Sequence, residues 1–388
     1  MNCKKGRCCR LSIRFKIAKV AVKLMGMKKL FALPQDELLK KVEKMNETRG
    51  FRMTSRRGFG YEDRLINGSH CLKIRTGDAP SQCALLFLFG GGYILGPDDG
   101  DVKLAERMGA KSGRDIWFPY YPLCTRQSVK CAFDAVYAVY REMLREYAPE
   151  NIAILGFSSG GALAIGVGLH NNAQPKPLPM PGLIIASSPG CVPMSEAEKQ
   201  KMSALNKKDF IVDAGFMTTV RNLMEHGEDV PAYMLAGTAG DFSNFPMTHF
   251  YYGGDEVLSV EAEYFAEAFE KYGVPCQIHI APGMCHCWPS FSFYPEGKKA
   301  QTQPAAQEKE SDVDDAFNQA VGVAVENGQI SVSMLQRRLR IGYARAARLI
   351  DQLEEHGYIS PMDGSKGRQV LVTKEELQKM MNPQEEGE

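Results

Sequence analysis

The segment Gly156-Phe157-Ser158-Ser159-Gly160-Gly161 contains a G-x-S-x-G turn. The apolar run Asn151–Leu155 precedes it, and the small-residue run Ala162–Gly168, which can continue as a helix, follows. A serine on a tight strand-to-helix turn is placed to act as a nucleophile. The flanking glycines let the backbone pack closely, and the helix N-terminus behind it offers N–H donors to a developing oxyanion. Such a serine needs a base, and the base needs an orienting acid. Candidates for both lie just beyond later strand-like runs. Asp255 fits the acid, because it follows the run Thr248–Tyr252 across Gly253-Gly254. The neighbouring Glu256 is expected to point elsewhere. His286 fits the base, in the loop Ala281–His286 after the run Gln277–Ile280. His249 and His279 lie inside strand-like runs and read as packed residues. A tetrahedral oxyanion needs two or more aimed N–H groups. Phe89-Gly90-Gly91-Gly92-Tyr93 follows an apolar strand, so the expected donors are Gly91, Gly92 and the Ser159 N–H.

These residues need a frame. From Cys83 to Ile280 strand-like runs alternate with helical ones. The strands are expected at Ala84–Phe89, Asp115–Pro119, Asn151–Leu155, Gly182–Ala186, Thr248–Tyr252 and Gln277–Ile280. The helices are expected at Asp101–Lys111, Val129–Tyr147, Gly161–Asn171 and Val260–Tyr272. Alternation of this kind builds a doubly wound, mostly parallel α/β sheet. Tyr61–Arg75 reads as an antiparallel edge, and Pro189–Asn244 as an insertion forming part of a cap near the serine.

Residues 1–30 hold ten lysines and arginines and no acid, although the whole chain carries a net charge of only +1. A balance so near zero selects neither nucleic acid nor membrane globally. Ile13, Ile17, Val20, Leu24 and Met27 recur at helical spacing. The resulting helix has a basic face that suits a membrane surface, but it more often covers its own domain. Eleven scattered cysteines, no secretory signal pattern and no apolar run long enough to span a bilayer imply reduced thiols in a cytoplasmic protein. Cys3, Cys8 and Cys9 have no matching histidine pair, so no metal site is expected, and the chemistry needs no cofactor. The partition read from these signals is a basic N-terminal arm or cap at 1–50, a catalytic domain at 51–297, a polar linker at 298–311, a small domain at 312–375 and an acidic tail at 376–388.

The motifs resemble the hormone-sensitive-lipase-like branch of the α/β-hydrolase fold, a group of bacterial esterases and acetyl-hydrolases. The resemblance covers about 65–295. The family's H-G-G-G box stands here as Phe89–Gly92, and its G-D-S-A-G-G elbow as Gly156–Gly161. Phe89 therefore replaces a histidine, and Phe157 the common aspartate. The resemblance implies hydrolysis of a small carboxylic ester through an acyl-serine.

The small domain has its own pattern. Helical signals at Asp314–Glu326, Val332–Arg338 and Tyr343–Glu355 precede a short hairpin with a basic, glycine-rich tip. This is a winged-helix layout. Arg337, Arg338, Arg340, Arg345 and Arg348 cluster around one turn and the start of one helix, where arginines can reach phosphates or guanine edges. Lys366 and Arg368 in the wing add phosphate contacts. The stretch from about Asp314 to Val372 resembles the gamma domain of the FtsK/SpoIIIE DNA translocases, most specifically over Gln336–Glu354. That resemblance gives Arg348 and Asp351 base-reading positions, and it places Ala344 where some members carry asparagine. No P-loop motif occurs, so the translocase motor is not expected. The implied partners are a small acyl ester, double-stranded DNA and, in a homodimer, a second copy. Two other readings stay open: a DNA-binding regulator whose hydrolase domain senses a ligand with little turnover, and a winged helix that binds protein.

Overall fold

The computed structural model describes residues 12–77, 79–301, 310–339, 346, 349–350, 353–354, 358–360 and 368–371. The chain divides into two compact units with the boundary after Gln301.

The first unit is built on an eight-stranded sheet. Its strands are β1 (Gly60–Ile66), β2 (Ser69–Arg75), β3 (Ala84–Leu88), β4 (Asp115–Pro119), β5 (Ile152–Phe157), β6 (Leu183–Ser187), β7 (Thr248–Gly253) and β8 (Cys276–Ala281). They lie in the order β1-β2-β4-β3-β5-β6-β7-β8. β1 and β2 form an antiparallel hairpin, and β2 meets β4 antiparallel. All pairings from β4 through β8 are parallel. Every residue of β3 through β7 is buried. A parallel strand covered on both faces must be apolar throughout, which is why these runs stood out. The edge strand β8 mixes half-buried and exposed positions instead.

The covering helices are α4 (Asp99–Ser112), α5 (Val129–Met143), α6 (Ser159–Asn172) and α10 (Glu261–Tyr272). α6 is buried along nearly its whole length, and its small residues let it sit directly on the sheet. The N-terminal helices are α1 (Ile13–Met25), α2 (Met27–Phe31) and α3 (Gln35–Asn46), and the insertion holds α7 (Glu196–Leu205), α8 (Phe216–Glu225) and α9 (Ala232–Leu235); α2 and α8 line the cavity that contains Ser158. Phe31 packs against Phe216 with ring centroids 4.5 Å apart and the rings tilted by 43°, which joins the N-terminal helices to the insertion. The polar linker read from 298 begins later than its composition implies. Pro295–Ala300 is a helix, and the Gln301 amide donates to the Pro289 carbonyl at 2.8 Å.

The helix α1 departs from expectation. Its most apolar stripe does not cover the domain. Phe15 and Ala18 are buried, while Ile13, Ile17, Val20 and Leu24 face solvent.

The second unit begins with the helix Glu310–Asn327, followed by a short strand at Gln329–Ile330 and the helix Val332–Leu339. Arg368–Gln369 pairs antiparallel with Gln329–Ile330, and Ile359 bridges to Val370. Ala320, Ala324, Ile330, Leu335, Leu349, Ile350 and Leu353 make up much of a small apolar core.

Candidate active site

Ser158 stands at the junction of β5 and α6 with φ 54° and ψ −121°. This left-handed backbone is costly for a residue with a Cβ and persists only where its surroundings fix it. Those surroundings are on both sides. The Ser158 N–H donates to the Ser187 carbonyl at 2.9 Å, and its carbonyl accepts from Ala162 and Gly190 at 3.0 and 2.9 Å. Gly160 is forced by sterics, since a Cβ there would come within 2.2 Å of the Leu88 carbonyl oxygen.

His286 lies beyond β8, buried, with Ser158 on the wall of the same cavity. Its Nδ1 meets Glu256 Oε2 at 2.6 Å. The acid assigned from the sequence, Asp255, is not at this position. Asp255 turns outward and pairs with Lys19 at 3.5 Å, both side chains about a quarter exposed (25% and 29%). The turn after β7 explains the exchange. The Asp255 N–H donates to the Met284 carbonyl and the Glu256 N–H to the Gly253 carbonyl, which rotates the second carboxylate inward. Glu256 is wholly buried. Its Oε1 accepts from the Ser188 hydroxyl at 2.8 Å and from the Gly253 N–H at 2.6 Å. Ser188 in turn accepts from the Cys287 N–H at 2.9 Å, which fixes the loop that carries His286. The sequence offered two adjacent carboxylates and no signal to choose between them.

Burial raises the Glu256 pKa above the usual carboxylate range, while the hydrogen bond and charge of His286 and the Gly253 N–H pull it back. Burial works against a charged His286, but Cys287 and Glu256 outweigh it and hold the imidazole pKa well above the ordinary histidine value. Nε2 of His286 has the Cys287 Sγ at 3.5 Å. The Cys287 thiol therefore sits against this nitrogen, and Ser158 lines the same cavity. The sequence reading did not single out Cys287.

The oxyanion candidates frame the serine. Gly91 has φ 138° and Gly92 φ 60°, and the tightness is real: a Cβ on Gly91 would sit 2.3 Å from the Leu95 carbonyl oxygen. The Gly91 carbonyl is occupied by the Ile94 and Leu95 N–H groups. Among the described residues, the N–H groups of Gly91, Gly92 and Ser159 have no protein acceptor. For Ser159 this is the orphan N–H of a helix start. Phe89, at the end of β3, is 1% exposed and stacks on Tyr121 at 4.1 Å with the rings 5° apart. The Tyr121 hydroxyl donates to the Phe89 carbonyl at 2.6 Å. The glycine loop is thus braced by a stacked ring and one tyrosine hydrogen bond.

The cavity has a volume of about 520 Å³. Its apolar walls include Met27 and Phe31 from α2, Phe216 and Val220 from α8, and Phe291 and Phe293. Among the described residues no cluster of histidine, cysteine and carboxylate groups could hold a metal ion. No described helix is long and apolar enough to cross a membrane.

In the second unit, Arg337 and Arg338 lie on the helix Val332–Leu339, and the Arg337 guanidinium reaches back to the Ser333 carbonyl at 3.3 Å. Arg368 is engaged by Glu354 in an ion pair. Arg340, Arg345, Arg348, Asp351 and Lys366 lie outside the described residues.

A family model described as an alpha/beta hydrolase fold matches residues 85–290, about half of the chain. The chain belongs to that family. A second model, the FtsK gamma domain, matches residues 311–373, so the hydrolase carries a gamma domain at its C-terminal end. Among solved structures, an esterase/lipase from an uncultured bacterium is 21% identical with a TM-score of 0.64, covering 77% of this chain and 98% of its own. An esterase from the bacterial hormone-sensitive lipase family is 21% identical with a TM-score of 0.65 and the same coverage. These likenesses establish the fold. The DNA translocase FtsK of Caldanaerobacter subterraneus subsp. tengcongensis is 46% identical over 92 residues, which is 24% of this chain and 13% of the translocase. The DNA translocase SpoIIIE of Bacillus subtilis is 52% identical over 67 residues, 17% of this chain and 8% of its own. FtsK of Chlamydia trachomatis is 32% identical over 213 residues, 54% of this chain and 22% of its own. The chain spans less than a quarter of the length of each of these translocases.

Proposed function

We propose that the chain is a cytoplasmic serine hydrolase of small carboxylic esters whose gamma domain binds double-stranded DNA. The observation that carries the hydrolase reading is the assembly at one cavity of strained Ser158, the buried His286–Glu256 pair and the unspent N–H groups of Gly91, Gly92 and Ser159. In the proposed reaction, Ser158 Oγ attacks the ester carbonyl carbon as His286 Nε2 takes its proton. The carbonyl oxygen becomes an oxyanion held by the Gly91, Gly92 and Ser159 N–H groups. Glu256 accepts from Nδ1–H, holding the tautomer that leaves Nε2 free and stabilising the imidazolium. His286 returns the proton to the leaving alcohol as the C–O bond breaks. Water, deprotonated by the same nitrogen, then attacks the acyl-serine and releases the acid. The aromatic and aliphatic walls favour an apolar acyl group, with Phe31 and Phe216 closing over it.

Short-chain p-nitrophenyl esters test this reading. The wild-type chain is expected to hydrolyse them, and Ser158→Ala to abolish turnover without changing thermal stability. No turnover by the wild-type chain would favour the ligand-sensing alternative. The DNA reading rests on the gamma-domain match and on the likeness to translocases, and it is tested by salt-dependent binding to duplex DNA.

A further inference from the structure

We propose that α1 docks the first unit in the plane of an anionic lipid surface. The argument begins with the mismatch between this helix's sequence and its packing. At about 100° per residue, Ile13, Ile17, Val20 and Leu24 fall within about 60° of one another. Phe15, Ala18 and Val22 lie on the opposite side. Phe15 is 1% exposed and packs edge-on against Tyr294 at 5.1 Å. Ser12 secures the start of the helix, its N–H and hydroxyl donating to the Glu296 carboxylate at 2.7 and 2.9 Å. The helix is therefore held by one apolar face while presenting the other. Ile13, Ile17, Val20 and Leu24 are 75, 66, 59 and 83% exposed. This is a continuous stripe, and isolated surface apolar residues would not form one.

Charge identifies the occupant. Arg14 flanks the stripe on one side and Lys16 and Lys23 on the other, and all three are exposed. Among the described residues none of them pairs with a carboxylate. The first thirty residues contain no acid at all. An apolar stripe edged by cations fits the boundary between acyl chains and anionic headgroups, where long basic side chains reach up to the phosphates. A second copy of α1 would instead bring these cations against one another, with no acid on either helix to offset them. α2, one residue further along, lines the cavity through Met27 and Phe31, so docking would hold the candidate active site next to the lipid.

Co-sedimentation of the full chain with phosphatidylcholine vesicles, with and without phosphatidylglycerol, tests the proposal. The wild-type chain is expected to bind the phosphatidylglycerol-containing vesicles. Ile17→Glu/Val20→Glu should weaken that binding about tenfold or more, and Lys16→Gln/Lys23→Gln should weaken it about fivefold for each charge removed. Both variants should keep the wild-type thermal midpoint and the wild-type rate on a soluble ester, because neither pair touches the cavity. Ile17→Trp, read by quenching with brominated lipid, places the stripe in the bilayer without introducing a charge. The proposal fails if Ile17→Glu/Val20→Glu binds as the wild type does, if neutral vesicles bind equally well, or if Ile17→Trp is not quenched. It also fails if the wild-type chain forms a lipid-free dimer that Ile17→Glu/Val20→Glu dissociates, since the stripe would then belong to a second copy.

Discussion

Glu256→Gln and Asp255→Asn make a matched pair of perturbations on adjacent residues. Glutamine keeps the size of Glu256 and can still accept from Ser188 and Gly253 through its carbonyl oxygen. Its NH₂ then faces His286 Nδ1, where the carboxylate oxygen stood at 2.6 Å. Nδ1 must accept, so the imidazole proton moves to Nε2, which can no longer take a proton from Ser158. The imidazolium also loses its counter-charge. Wrong-tautomer lesions of this kind cost about 10³–10⁴-fold in kcat, or about 4–5.5 kcal/mol of barrier at roughly 1.36 kcal/mol per tenfold. Asp255→Asn removes a partly exposed pair with Lys19, worth at most about 1 kcal/mol of stability, and leaves Nδ1 untouched. Its kcat/KM should stay within about threefold of wild type. The assay is kcat and KM on a short p-nitrophenyl ester, with thermal midpoints to confirm folding. Loss of turnover in Asp255→Asn with turnover retained in Glu256→Gln would refute the role assigned to Glu256.

Two further predictions follow from the same geometry, and a third from the gamma-domain sequence. His286 acts only when unprotonated, and its pKa is held up, so the acid limb of kcat/KM should lie above the ordinary histidine range; Cys287→Ala removes one group that raises it and should shift the limb to lower pH while preserving turnover. Phe89→Ala removes the ring stacked on Tyr121 and should cost about 3–5 kcal/mol in urea unfolding, with a lower kcat because the donor loop loses its brace. In the gamma domain, Arg345→Ala/Arg348→Ala in the full chain should weaken duplex binding and reduce its salt dependence, measured by fluorescence anisotropy across a salt series; unchanged binding would remove these arginines from the interface.

The inner strands β3 through β7 were legible because they are buried on both faces and read as apolar runs; the elbow was legible because a serine on a sharp turn needs glycines close by on both sides. The acid was not, because Asp255 and Glu256 adjoin and only the hydrogen bonds of the turn decide which points inward. Helix α1 was misleading for a related reason. Periodicity identified its strongest stripe, but Phe15, a single large ring off that stripe, fixes the face that packs. The linker boundary was missed because Pro295–Ala300 owes its helix to contacts with the 288–291 turn, whereas its own composition is polar.

The tie between Ser12 and Glu296 spans 284 positions. During synthesis at roughly 5–20 residues per second, residue 12 waits about 15–60 seconds for its partner to leave the ribosome. The sheet, the elbow and the insertion can form within that interval. α1 cannot be fixed at Ser12 until residues 294–296 emerge, and α2, which follows it, supplies part of the cavity wall. A nascent chain arrested before residue 294 would carry the serine while lacking the anchor that seats this wall.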